Sequence, residues 1–290
     1  MLHDIVISAY AKINIGLRVL PKRADGYHDI ESIFHTVPLC DVLHVERMPG
    51  SGGCVVECGQ MQLPQHNTLT AAYDGFCRVS GIRPSVHVAL EKRIPAGAGL
   101  GGGSSDAASF LRGLDALYET NLTSEQMQCV AASVGSDVFF FLSCDAAGMG
   151  SAVVTGRGDT VHIIRQRRDL NIVLACPAVH SSTAEAYALV DSCMERDYGI
   201  QYPPLESLEA MYRARVCAWS FANSFERPLM ERYPAIAEAL SVLRDCGADF
   251  VQMSGSGSAV FGVFENSVAA ENASAILADM GIKNYCSFSR

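Results

Sequence analysis

From Pro95 to Ala108 the chain reads Pro-Ala-Gly-Ala-Gly-Leu-Gly-Gly-Gly-Ser-Ser-Asp-Ala-Ala, with five glycines in the seven residues from Gly97 to Gly103. Glycines at this density remove the Cβ atoms that would hold a ligand away from the backbone. The residues that follow, Ala107, Phe110, Leu111, Leu114, Leu117 and Tyr118, recur at helical spacing, and Val86, Val88 and Leu90 alternate as a strand before the loop. A strand, a glycine loop and a helix in that order aim the unpaired N–H groups of the helix start at whatever the loop encloses, which makes an anion cradle suited to a polyphosphate. A flexible linker or a plain glycine turn is the alternative for such a run, and its placement between two regular elements weighs against that.

Three further segments carry groups able to do chemistry. Lys12 and Asn14 share one face of an alternating strand whose other face holds Ala11, Ile13 and Ile15; the ordinary alternative is the solvated side of an edge strand. Asp137 stands in Gly-Ser-Asp-Val-Phe-Phe-Phe, an acid set against a dense apolar run, either as a turn or cap residue or as a carboxylate in a dry site. Ser254 to Ser258 reads Ser-Gly-Ser-Gly-Ser between two expected strands, either a hairpin loop or a second backbone concavity.

Gly97, Gly99 and Gly102 also satisfy a dinucleotide-binding spacing, and an oxidoreductase is the alternative this raises. That fingerprint needs a second strand ending in an acid about 20 residues on, where this chain stays helical through Tyr118. No Gly-Lys-Ser/Thr closes the run, so it is not a Walker A loop.

The elements expected to position these groups are α+β. Strands come first, over Ile5–Ala9 and Ala11–Ile15, then a turn at Asp25-Gly26 and an extended stretch toward Leu39. A helix is expected from Asn67 to about Ser80, and Thr123 with Gln126, and Ser182 with Glu185, read as capping boxes. Beyond about residue 160 the pattern restarts with a strand over Asn171–Cys176, helices near 183–193 and 234–245, strands near 250–254 and 259–264, a helix over about 268–280 and a terminal strand. Two closely packed lobes are expected, 1–160 and 161–290.

Bulk composition excludes several classes. The 290 residues are 49% hydrophobic and 18% charged, the make-up of a folded globular chain. A formal net charge of −9 argues against a nucleic-acid partner, and the expected partner is a small molecule. No apolar run approaches a membrane span and no secretory leader is apparent, so a cytoplasmic protein is expected. The 11 cysteines contain no Cys-x-x-Cys and are read as reduced. The eight histidines show no ligand spacing for a protein-built transition-metal site.

Taken in order, Ala11-Lys12-Ile13-Asn14, the loop from Gly97 to Ala108, and Ser254 to Phe261 resemble the three motifs of the GHMP kinase superfamily. Lys22-Arg23-Ala24-Asp25-Gly26-Tyr27-His28 and the Asp137 segment are most similar to its branch acting on a cytidyl-linked sugar alcohol; homoserine- and mevalonate-type kinases are the nearest alternatives.

The resemblance implies a two-lobed fold, with an N-terminal lobe like the second domain of ribosomal protein S5 and a ferredoxin-like C-terminal lobe. It implies ATP and Mg²⁺, with Asp137 as general base and Lys12 as its partner. ATP contacts are expected from Asn67, Lys92, Pro95, Gly97, Gly99, Leu100, Gly101, Gly102, Gly103, Ser104 and Ser105, with Ser105, or else Ser104, as a hydroxyl ligand of Mg²⁺. Substrate contacts are expected from Asn14, Tyr27, His28, Asp137, Thr183 and Tyr187, the two tyrosines and His28 gripping the cytosine. The chain departs from the branch in carrying Phe139 where a proline is expected, and the turn Thr155-Gly156-Arg157-Gly158 matches too loosely to carry any residue over.

Overall fold

Alternation in the first segment extends much further than the motif itself. In the computed structural model, which describes residues 3–194 and 200–288, one strand, β1, runs from Asp4 to Lys22 and pairs antiparallel with β2, His28–Arg47. The turn at Asp25-Gly26 joins them. β3 (Gly53–Cys58), α1 (Thr68–Ser80), β4 (Ser85–Glu91), α2 (Gly102–Tyr118), α3 (Ser124–Val134), α4 (Asp137–Ser143), β5 (Ser151–Thr155) and β6 (Thr160–Ile164) complete the first lobe. Its sheet runs β3-β4-β2-β5-β6, with β1 on β2.

β4 leads into the glycine loop and is antiparallel to β2. On its other side β4 is parallel to β3, but the helix after the loop runs on into α3 and α4 and returns to no strand beside β4; the strand–helix–strand unit of a dinucleotide-binding fold is absent there, so the oxidoreductase alternative is excluded.

The second sheet holds β7 (Asn171–Cys176), β8 (Phe250–Met253), β9 (Val260–Phe264) and β10 (Lys283–Ser287) in the order β10-β7-β9-β8, all neighbours antiparallel. Helices α5 (Thr183–Met194), α6 (Leu208–Arg213), α7 (Glu226–Arg232) and α8 (Pro234–Asp245) lie between β7 and β8, and α9 (Ser267–Asp279) lies between β9 and β10. That order and connectivity are those of a ferredoxin-like lobe. β6 belongs by its pairing to the first sheet, so the chain changes sheets between Ile164 and Asn171, a few residues after the boundary expected at 160.

The lobes are joined by a shared core. Ala11, Ile13, Ile15, Ile33 and Val37 of the first sheet form one buried cluster with Ile172, Leu174, Phe261 and Val263 of the second. The other large cluster packs α1, α2 and α4 on the first sheet and α8 and α9 on the second. β1 is therefore covered on both sides, and Lys12 and Asn14 are 4% and 1% exposed. The solvated-edge alternative for that face is excluded.

Local sequence sets several ends. Asn67 caps α1 through a reciprocal arrangement with Thr70, and Thr123 does so for α3 with Gln126. Only half of the expected box at α5 forms: Ser182 Oγ accepts from the Glu185 N–H, while the Glu185 carboxylate accepts from the Tyr233 hydroxyl. A tertiary partner takes the acid that the local pattern assigned to the cap. Among the described residues no helix is long and apolar enough to cross a membrane.

Candidate active site

The glycine loop turns back on itself over β1. The Lys12 N–H donates to the Leu100 carbonyl at 3.0 Å, which fixes the loop above the strand that carries Lys12. Gly99 has φ +76°, and a Cβ there would stand 2.2 Å from the Ser254 carbonyl oxygen. Only glycine permits this approach. The Ser254 hydroxyl donates to the Gly99 carbonyl at 2.9 Å and the Ala259 N–H to the Ala98 carbonyl at 3.1 Å. Ser254 to Ser258 thus joins β8 to β9 and also backs the glycine loop, serving as both hairpin and concavity. α2 then starts with Gly101 as N-cap and no side-chain cap bond. Its first N–H groups lack a side-chain acceptor, which suits a phosphate.

Loop, β1, α4 and α5 enclose a cleft of about 490 Å³, within the size range of small-molecule sites. Lys12, Asn14, Asn67, Lys92, Asp137, Thr183, Tyr187 and every residue from Pro95 to Ser104 line it.

Lys12 Nζ donates to Asn14 Oδ1 at 2.6 Å and lies 3.5 Å from Asp137 Oδ2. Asn14 Nδ2 donates to Ser32 Oγ at 3.0 Å, and the ammonium also sits 4.5 Å from the centre of the Phe34 ring. The amide orientation of Asn14 is thus fixed from both ends, and the lysine is held against a wall that excludes water.

Asp137 differs from the dry carboxylate expected of it: its side chain is 31% exposed where that of Lys12 is 5% exposed. It is the first residue of α4, and helical geometry turns Val138, Phe140 and Phe141 into the core instead of against the carboxylate. Phe139 N–H donates to the Ser136 carbonyl at 3.2 Å, a bond that a proline there would lack.

Other expected contacts are differently engaged. Lys92 donates to both Asp41 and Asp106, the latter at 2.9 Å. Asp41 is wholly buried and also accepts from the N–H groups of Arg93 and Ile94. Burial, partly opposed by Lys92, pushes the Asp106 carboxyl up to about 7. The Lys92 ammonium therefore holds the strand exit and the helix start together before any ligand arrives. Asn67 spends its Oδ1 on the N–H groups of Leu69 and Thr70 and donates from Nδ2 to the Pro64 carbonyl.

Ser105 is a correction. It is fully buried and does not line the cleft, because one residue along a helix rotates a side chain by about 100°. Ser104 faces the cleft instead.

Neither His28 nor Tyr27 lines the cleft: His28 is buried behind Tyr187, and Tyr27 lies at the surface. His28 is stacked on Tyr187, with ring centroids 5.2 Å apart, and has Nδ1 2.8 Å from the Leu20 carbonyl and Nε2 3.1 Å from Asp191 Oδ1. Tyr187 also meets Phe225 edge-on at 4.9 Å. Tyr27 is 53% exposed, with the Arg157 guanidinium 3.5 Å from its ring centre. Thr183 Oγ1 lies 3.4 Å from Ser256 Oγ.

Sequence reasoning assigned no role to Arg157, Asp106, Asp41 or Phe225. Asp106 directly follows the serine pair of the loop, which was a usable signal; Asp41 had none, since its partners are 51 residues or more away in the chain.

A cleft with a polyphosphate cradle beside a lysine–aspartate pair, on this pair of lobes, defines a small-molecule kinase. Residues 67–145 match the model of the GHMP kinases N terminal domain, and residues 205–283 that of the GHMP kinases C terminal. The chain belongs to the GHMP kinase family. It is 40% identical to a 4-diphosphocytidyl-2-C-methyl-D-erythritol kinase of Treponema pallidum, over 98% of this chain and 97% of that one. A crystal structure of 4-(cytidine 5'-diphospho)-2C-methyl-D-erythritol kinase superposes with a TM-score of 0.80 at 32% identity, covering 97% and 98% of the two chains. Homoserine kinase from Cytophaga hutchinsonii shares the fold, with a TM-score of 0.71 at 16% identity over 100% of this chain and 95% of that one.

Proposed function

We propose that the chain transfers the γ-phosphoryl of ATP to the 2-hydroxyl of 4-diphosphocytidyl-2-C-methyl-D-erythritol, a step of non-mevalonate isoprenoid precursor synthesis. The observation that carries the chemistry is Lys12 Nζ at 3.5 Å from Asp137 Oδ2 beneath the glycine loop. The acceptor follows from the relatives that share nearly the whole chain.

In this reading the loop N–H groups and the start of α2 hold the phosphates of ATP. Asp137 accepts the proton of the acceptor hydroxyl as its oxygen bonds to the γ-phosphorus and the bond from that phosphorus to the bridging oxygen breaks, releasing ADP. Lys12, oriented by Asn14, stabilises the negative charge that develops on the transferred group. Thr183 and Asn14 hold polar groups of the acceptor, and Tyr187, backed by His28, offers an aromatic surface for its base.

Mg²⁺ fits the donor set as an ion carried by the nucleotide. Among the described residues no cluster of three His, Cys, Asp or Glu side chains is placed to hold a metal by itself. Ser104 supplies a hydroxyl at the cleft, and the ion would neutralise phosphate charge with water and phosphate oxygens as its other ligands. The cytoplasm is the compartment that suits eleven cysteines, all of them free thiols.

A coupled ADP-release assay across 4-diphosphocytidyl-2-C-methyl-D-erythritol, mevalonate and homoserine tests the assignment. Turnover with the cytidyl acceptor alone supports it; preference for mevalonate or homoserine would replace the acceptor and leave the kinase class standing.

A further inference from the structure

The ladder between β2 and β4 ends where Val42 opposes Glu91, and the next pair would set Asp41 against Lys92. The N–H groups that follow, those of Arg93 and Ile94, have left the ladder and need other partners. Both go to Asp41 Oδ1, at 2.6 Å and 2.8 Å, while Asp41 Oδ2 accepts from Lys92 Nζ. One wholly buried carboxylate therefore binds the chain at each residue from 92 to 94, as it turns from β4 toward the glycine loop.

The same short segment carries the start of α2. A Cβ on Gly102, the first residue of that helix, would stand 3.0 Å from Ile94 Cγ2 and 3.3 Å from Lys92 Nζ. Lys92 lines the cleft there, its side chain 11% exposed. An ammonium has three donors, and Asp41 and Asp106 take two of them, which leaves one for a ligand. Asp41 is the acid that is also bonded to the backbone leading into the loop, so it sets where the ammonium stands.

We propose that Asp41 is a positioning residue for the nucleotide. Through Lys92 it fixes an ammonium beside the first turn of α2, so that ATP meets a donor already in place; through Arg93 and Ile94 it fixes the direction in which the chain enters the glycine loop. Asp41 does not line the cleft, so it acts on the nucleotide only through these neighbours. The inference rests on the reading above that the glycine loop holds the phosphates of ATP.

Calorimetric titration of a non-hydrolysable ATP analogue into wild type, Asp41→Asn, Lys92→Met and the double variant tests this, beside steady-state kinetics. Asp41→Asn keeps an oxygen for the N–H groups of Arg93 and Ile94 but turns a neutral amide toward the ammonium. Affinity for the analogue and KM for ATP should worsen about tenfold, the size of a lost charged hydrogen bond, while kcat and KM for 4-diphosphocytidyl-2-C-methyl-D-erythritol change by no more than about threefold. In the Lys92→Met background Asp41→Asn should weaken binding no further, because its effect runs through the ammonium. A purely structural role would lower affinity equally in both backgrounds. Such additive losses, or an Asp41→Asn affinity within about twofold of wild type, would overturn the proposal. Should Asp41→Asn fail to fold, Lys92→Met decides: a loss of about tenfold supports the proposal, and affinity near that of wild type overturns it by leaving Asp41 nothing to position. If wild type binds the analogue and Asp41→Asn binds it equally well, only this inference falls. If wild type does not bind it, the nucleotide reading falls and takes this inference with it.

Discussion

The Lys12 ammonium approaches Asp137 Oδ2 at 3.5 Å from the floor of the cleft, while the carboxylate itself remains 31% exposed at the cleft mouth. One partner is fixed and desolvated, the other open to an incoming hydroxyl. Such a pair can hold a carboxylate close to a reacting group without closing the site in the absence of substrate.

Asp137→Asn keeps the shape of that residue and removes its basicity, so kcat should fall by about 10²–10⁴, the usual contribution of a general base. ATP and acceptor affinities should change little, since neither depends chiefly on this carboxylate, and the thermal melt should match wild type. Single-turnover rates check it: a rate near that of the parent would return Asp137 to the role of a helix-start residue.

Gly99→Ala should separate the two glycine-rich segments. The substitution meets both a left-handed backbone and the Ser254 carbonyl at 2.2 Å. Gly81, the C-cap of α1, has φ +75° with nothing within 4 Å of where an added methyl would stand, so Gly81→Ala bears only the backbone cost of about 1–2 kcal/mol. Urea melts should show Gly99→Ala the less stable of the two, with KM for ATP raised in that variant alone. Equal melting of the two variants would mean the loop shifts freely away from Ser254.

His35 predicts a dependence of stability on pH. Burial first, and then the nearby Arg167, depress its imidazole from 6.5 to about 4, with Asp169 opposing weakly. Its Nδ1 lies 2.8 Å from Ser151 Oγ and 2.9 Å from the Tyr212 hydroxyl. The unfolded chain binds this proton below about 6.5 and the folded chain only near 4, so stability from this group is complete above pH 6.5 and is lost as the pH falls toward 4, by up to about 3 kcal/mol. The stability advantage of wild type over His35→Asn, measured by denaturant melts, should therefore shrink between pH 7 and pH 5. A gap that stays constant would show that His35 does not titrate across the transition.

Local pattern sufficed for a large part of this protein. Val86, Val88 and Leu90 alternate because one face of β4 is buried, and Asn171–Cys176 and the helix over 234–245 stand where their apolar spacing put them. The glycine loop was equally legible, since only closely approached backbone calls for glycine at Gly97, Gly99 and Gly101. Tertiary structure decided what those segments touch. Whether Lys12 was solvated or buried depended on α2 and the glycine loop covering β1, and no residue near Lys12 in the chain encodes that. Lys92 was committed by Asp41, Ser105 was turned inward by its place on the helix, and Arg157 was brought beside Tyr27 by pairing between strands more than a hundred residues apart. Hydrophobic periodicity is a short-range signal of which face is buried; charge pairing across a cleft is fixed only when distant elements pack, and most of this site is made of such pairs.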